Sequence, residues 1–220
     1  MKEQSLSDSV SIEPASSEII KNAWKLAREG KLTEAEIEFS KALINDSKEY
    51  QLLNYSRFLI DIGQLEKALV MVNKAMEIAR SENKIDTTAN ALTYRGIILQ
   101  IRGDLDGAEE MYKKSIEINE KLGRLEGMAN QYGNLGNVLH TRGDLDGAEE
   151  MYKKSLEIEE KFGRLEGMAN QYGNLGIVLK TRGDLDGAEE MYKKSLEIAT
   201  SKGFSQIIEI ANRNLEILRD

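Results

Sequence analysis

The chain of 220 residues contains no cysteine, one histidine, one proline and one tryptophan. Without cysteine there are no disulfides, no thiolate nucleophile and no cysteine-containing zinc site, and a single histidine rules out a multi-histidine metal site. No apolar run approaches the roughly 18 residues of a membrane span, and the N-terminal sequence Met1-Lys2-Glu3-Gln4-Ser5 lacks the apolar core of a signal peptide. A soluble, cytoplasmic protein with no cofactor is the expectation. Proline is scarce against the roughly 11 that average usage would give, whereas glycine, at 18, is not. Sandwiches and barrels draw on both residues for their turns, so this imbalance predicts helices joined by short glycine turns.

The formal charge of -8 opposes a large phosphate-contact term and makes nucleic acid or an anionic membrane surface a poor partner. The cations that fall on the candidate binding stripe described below, Lys21, Arg57, Lys180 and Arg213, are scattered rather than clustered.

What the sequence does contain is repetition. Gly-Asp-Leu-Asp-Gly-Ala-Glu-Glu-Met-Tyr-Lys-Lys-Ser begins at Gly103, Gly143 and Gly183, a period of 40. Residues 123–162 and 163–202 differ at six positions, among them Asn137 against Ile177 and His140 against Lys180, while 83–122 matches 123–162 at 22 of 40. Two more divergent units precede them, marked by Gly30, Ala35 and Ala42 and by Gly63, Ala68 and Ala75, 33 residues apart.

Each unit reads as two helices with apolar positions at helical spacing, roughly 125–142 (Met128, Tyr132, Leu135, Leu139) and 145–161 (Leu145, Ala148, Met151, Tyr152, Leu156, Ile158) in the fourth. Arg142-Gly143-Asp144 supplies a glycine turn and an Asp N-cap, and Gly123, Gly163 and Gly203 stand where a helix C-cap is wanted. Glu149 with Lys153 and Glu150 with Lys154 are i,i+4 pairs of a solvated face.

The spacing of Tyr132, Leu135, Gly136, Leu139, Gly143, Ala148, Tyr152 and Ser155 resembles the tetratricopeptide repeat (TPR), and the Leu-Gly pair recurs at Leu175-Gly176. The 40-residue unit with Leu-Gly-Asn at 135–137 is similar to the subclass of kinesin light chains and Leu-Gly-Asn repeat adaptors. Ser115, Ser155 and Ser195 depart from the usual alanine, Glu160 stands where the family often has proline, and Arg95 breaks the Leu-Gly pair before Gly96. The resemblance implies an all-α fold, a right-handed superhelical solenoid of antiparallel helix pairs. Five units are expected at about 16–46, 49–82, 85–122, 125–162 and 165–202, with a capping helix at 204–219, in one domain over 16–220 behind a flexible tail at 1–15.

The resemblance further implies that the first helix of each unit lines a concave groove for a peptide segment of a partner protein. On that assumption the stripe is Asn130, Gly133, Asn134, Asn137, His140 and Thr141 in the fourth unit and Asn170, Gly173, Asn174, Ile177, Lys180 and Thr181 in the fifth. Asn90 with Tyr94 in the third, Asn54 and Arg57 in the second, Trp24 in the first and Asn214 on the closing helix continue it. Asparagine is a mediocre helix former, so its recurrence on one face fits amide hydrogen bonds to a ligand backbone; duplication that copied a solvated face is the plainer explanation. Gly133 and Gly173 would open the groove floor, and Trp24 reads as a packing residue more readily than as a ligand anchor.

Three Arg-Gly-Asp triplets fall at turns that need glycine and an N-cap, and Asp144-Leu145-Asp146-Gly147 fails the ligand positions of a calcium loop. No phosphate-binding Gly-x-x-x-x-Gly-Lys motif and no activated nucleophile is present, so the expectation is not an enzyme but an interaction scaffold, with self-association through stack ends as the alternative.

Overall fold

The computed structural model describes residues 14–45 and 48–218, and side chains over 18–44 and 48–218. The described residues form eleven helices and no strand: α1 (Pro14–Arg28), α2 (Leu32–Asn45), α3 (Glu49–Asp61), α4 (Leu65–Ser81), α5 (Ile85–Ile101), α6 (Leu105–Lys121), α7 (Leu125–Thr141), α8 (Leu145–Phe162), α9 (Leu165–Arg182), α10 (Leu185–Lys202) and α11 (Ser205–Ile217). The fourth unit's pair predicted at 125–142 and 145–161 thus stands within a residue at each end, and the predicted closing helix is α11. The expected tail largely lies outside the described residues; α1 takes in Pro14 and Ala15, and proline at a helix start gives up an N–H that has no intrahelical acceptor.

The chain divides into two compact units, residues 1–98 and 99–220. In the first, α1 packs on α2 and α3 on α4. Its core is aromatic: Trp24 meets Phe39 edge-on at 5.3 Å between ring centres, and Phe39 meets Phe58 at 4.9 Å. Trp24 is thereby a packing residue. Lys67 on α4 pairs with Glu36 on α2 at 3.1 Å, and Tyr55 donates to the same carboxylate.

The second unit is the regular one. Here α7 packs on α8 and α9 on α10, and Ala148, Tyr152, Leu175 and Val178 form a core cluster from two successive helices, α8 and α9. Gly136 makes room for a ring: a Cβ there would stand 2.5 Å from Tyr152 Cε1, and one at Gly176 would stand 2.5 Å from Tyr192 Cε1. The serines that depart from the repeat pattern have a use, since Ser155 Oγ donates to Ala129 O at 2.9 Å and Ser195 Oγ to Ala169 O at 2.8 Å, tying second helix to first. A buried hydroxyl without such an acceptor would be costly.

The Arg-Gly-Asp triplets are turn machinery. Gly143 takes φ 83°, a left-handed conformation open to glycine at little cost. Asp144 Oδ1 accepts from Gly147 N at 2.9 Å as an N-cap. Arg142 reaches back one repeat to Asp106 and Glu109 on α6, and Arg182 does the same to Asp146 and Glu149 on α8.

These clamps have a pH signature. Hydrogen bonds from Lys153 first and Arg182 second hold the Glu149 carboxyl below its ordinary value of 4.5, against the opposing effect of burial. A carboxylate depressed in the folded state contributes stability that is complete above its unfolded pKa and is lost as pH falls through the folded one. Arg182→Gln is therefore expected to lower the melting temperature at about pH 6 and to narrow the further drop on going to about pH 3, read by circular dichroism. An acid-induced drop equal to that of the wild type would contradict the clamp.

Candidate peptide-binding face

The solvent-reaching face of α7 and α9 carries the asparagines. Asn130 and Asn170 are exposed; Asn134, Asn137, Asn174 and Asn214 are half-buried, as are His140 and Lys180. Asn134, Asn174 and Asn214 occupy one position on three first helices, α7, α9 and α11, at intervals of 40 residues. Asn134 and Asn174 each make a long side-chain bond to the glutamine three residues earlier, Gln131 or Gln171, at 3.4 Å. Bonds of that length hold the amides lightly and leave them donor and acceptor capacity for a ligand.

Other members of the predicted stripe have structural partners. Asn137 Oδ1 accepts from the Tyr152 hydroxyl at 2.7 Å, and Asn130 Oδ1 takes a 3.4 Å bond from Arg164. Gly133 is buried, and a Cβ there would lie 3.1 Å from Gln171 Nε2; its missing side chain admits the next first helix instead of opening a floor. The same position in α9, Gly173, looks toward Ser195 Oγ at 3.7 Å. His140 Nε2 is buried with no hydrogen-bond partner among the described residues. That is a poor arrangement for a general base, which wants a group to orient its ring.

In the first unit Asn54 accepts from Trp24 Nε1 at 3.3 Å and donates to Tyr50 O at 2.9 Å. The Arg57 guanidinium lies over the Trp24 ring at 5.7 Å. Burial pushes the Tyr94 hydroxyl up, and nearby Arg57 opposes that shift. Asn90 is half-buried on α5. Asn54 and Arg57 thus form part of a packed Trp24 cluster.

Sequence reasoning missed the residue that ties α8 to α9. Arg164, at the N-cap of α9, donates Nε to Glu159 Oε2 at 2.6 Å and Nη2 to Glu159 Oε1 at 2.7 Å, and also pairs with Glu126 on α7. Glu159 is buried at 1% exposure, and its carboxylate covers Gly167, where a Cβ would stand 2.3 Å away. The signal was in the chain. Asn119 faces Gly127 and Glu159 faces Gly167, whereas the corresponding pair between α10 and α11 is Ala199 and Ile207, small where the others are long and large where they are glycine.

Among the described residues no cluster of three or more His, Cys, Asp or Glu is placed to hold a metal ion, and no helix is long and apolar enough to cross a membrane. The face offers neutral amides, with cations at Lys180 and Arg213 and exposed Ile177, Ile210 and Ile217 toward its C-terminal end.

Paired helices repeated in register, with a glycine turn and an Asp cap in each of the later units, define a helix-pair repeat solenoid of the TPR class. A profile of the MalT-like TPR region matches residues 52–219, and the chain belongs to that family. Among solved structures it is similar to TTC0263, a thermophilic TPR protein in Thermus thermophilus, at 20% identity over 94% of this chain and 100% of that one, with a TM-score of 0.68. It is similar to BtubC (BKLC) from P. vanneervenii at 18% identity, covering 94% and 92%, TM-score 0.61. A further likeness is to MamA, at 24% identity, covering 82% and 96%, TM-score 0.56. These likenesses show the fold. No curated protein matches the chain. TPR-like repeat scaffolds are in general protein-interaction modules and typically non-catalytic.

Proposed function

We propose that the chain is a non-catalytic interaction scaffold whose asparagine face on α7, α9 and α11 binds an extended segment of a partner protein. The observation that carries this reading is the single repeat position filled by Asn134, Asn174 and Asn214. An extended peptide shows alternating N–H and C=O groups, and a primary amide satisfies either. Ile177, Ile210 and Ile217 beside them offer apolar contact for the segment's side chains.

The test is to capture a partner from the source cell and measure its binding by calorimetry to wild type and to a variant carrying Asn130, Asn134, Asn170 and Asn174 all as Ala. Net hydrogen-bond contributions of about 0.5–1.5 kcal/mol each imply binding weaker by about tenfold or more. Asn137 is left intact because its loss would orphan the Tyr152 hydroxyl. Unchanged affinity in a variant that melts like wild type would contradict the reading.

Self-association by stacking through the C-terminal end has less to support it. Where α9 has Ala169 and Gly176, α11 has Glu209 and Glu216, both exposed. A copy stacked there would bury two carboxylates.

A further inference from the structure

The second helices of the repeats differ in what they show to water. In α6, α8 and α10 one outward position holds Glu110, Glu150 or Glu190, the position four on holds Lys114, Lys154 or Lys194, and the position three beyond that holds Glu117, Glu157 or Glu197. Lys154 pairs with Glu150 at 2.6 Å and Lys194 with Glu190 at 2.7 Å, so these faces are closed by their own ion pairs. In α2 the same three positions are Ile37, Lys41 and Ile44. Ile37 is 50% exposed and Ile44 83%, and Val70, at the position of Ile37 on α4, is 48% exposed.

Helix stability does not call for isoleucine there, since Glu and Lys are the better helix formers. Nor does the fold of the first unit use them. The inward side of α2 is Ala35, Phe39 and Ala42, each at most 1% exposed. The flanking Glu36 is committed to Tyr55 and Lys67. The outer side is a shallow hollow lined by Thr33, Glu36, Ile37, Ser40, Lys41 and Ile44. Two exposed isoleucines one helical face apart, rimmed by polar side chains where the later repeats carry glutamates, mark a candidate contact site.

We propose that this face is a self-association surface, on which a second copy of the chain docks its own α2 antiparallel, about a two-fold axis passing between residues 40 and 41. The charge pattern selects that occupant. With the axis there, Ile37 faces Ile44 of the second copy, and Ile44 faces its Ile37, as an isologous contact requires. Lys41 and Glu38 already pair within one helix at 2.7 Å. Across the axis each Lys41 comes within reach of Glu38 of the second copy, so two cations and two anions alternate. A parallel pairing would set Lys41 against Lys41 and Glu38 against Glu38. One helix face from each copy falls below the roughly 1,200 Å² of a standard interface, so the dimer is weak and concentration-dependent. The proposal stands apart from the asparagine face, which lies on other helices.

Sedimentation equilibrium of the full chain from micromolar to millimolar concentration reads the dimer directly. Wild type is expected to show a monomer–dimer equilibrium, and the Ile37→Glu, Ile44→Glu double variant to dissociate at least about tenfold more readily. Both positions are exposed, so the variant keeps its helicity. The absence of cysteine gives a second readout, because Ser40→Cys places a single thiol beside the axis. Under mild oxidation it is expected to form disulfide-linked dimers at least about tenfold faster than Lys113→Cys, the same repeat position on α6. A wild type that stays monomeric at millimolar concentration would overturn the proposal, as would a dimer indifferent to the two glutamates or equal cross-linking by the two cysteines. If the stripe is covered instead by the chain's own first residues, wild type stays monomeric and the proposal fails by that outcome.

Discussion

Replacing Arg164 with Ala is expected to destabilise the chain by about 3 kcal/mol, more than the loss of any exposed ion pair in it. Glu159 is buried at 1% exposure and receives two bonds from Arg164; the Glu159 carboxylate in turn raises the guanidinium's pKa. Truncating the arginine leaves a buried carboxylate with its main partner gone. The 28% exposure of the Arg164 side chain lets water soften the loss, which places the figure toward the lower end for a broken buried pair.

The chain itself contains the control. Where the junction of α8 with α9 has Glu159, Arg164 and Gly167, the junction of α10 with α11 has Ala199, Phe204 and Ile207. Glu159→Ala, Arg164→Phe and Gly167→Ile together exchange a charged arrangement for an apolar one of matched shape, so the triple variant should unfold within about 1.5 kcal/mol of wild type although Arg164→Ala does not. Urea unfolding of the three proteins decides it. An Arg164→Ala curve that overlays the wild type would mean that Glu159 is solvated after all.

Gly136→Leu is the second large effect. A Cβ at Gly136 would lie 2.5 Å from Tyr152 Cε1 and 2.7 Å from Cδ1, while the ring is 3% exposed and its hydroxyl is fixed to Asn137. The ring must leave, and with it go its packing in the cluster of Ala148, Leu175 and Val178 and its hydrogen bond. Overpacking of about 1–3 kcal/mol plus the lost bond gives about 3 kcal/mol. Gly136→Ala should cost less, because it adds only the Cβ and none of leucine's bulk beyond it, while both regain helix propensity. Repeat arrays unfold by neighbouring units, so hydrogen exchange of the α7 and α8 amides is the sensitive readout. Protection unchanged in Gly136→Leu would contradict the close helix crossing.

The legible part of this fold was the part written periodically. Turn glycines in phase, Asp caps and apolar residues at helical spacing placed α7 and α8 within a residue at each end because each signal is local and recurs. Asn137 and Asn54 were harder. Each looks like a free amide on a solvated face, but the partners that occupy them, Tyr152 and Trp24, stand 15 and 30 residues away. Gly133 misled for a similar reason, since an absent side chain does not say whether a ligand or a neighbouring helix fills the space. The Glu159, Gly167 and Arg164 arrangement is invisible in one unit and plain only when the exchange to Ala199, Ile207 and Phe204 is set beside it.

The proposed binding face is tested by a photo-crosslinking amino acid placed at position 174, beside the asparagine row, and in a second protein at position 157 on the outer face of α8. Binding across α7, α9 and α11 gives partner cross-links from position 174 and none from position 157; cross-links from 157 alone would contradict it.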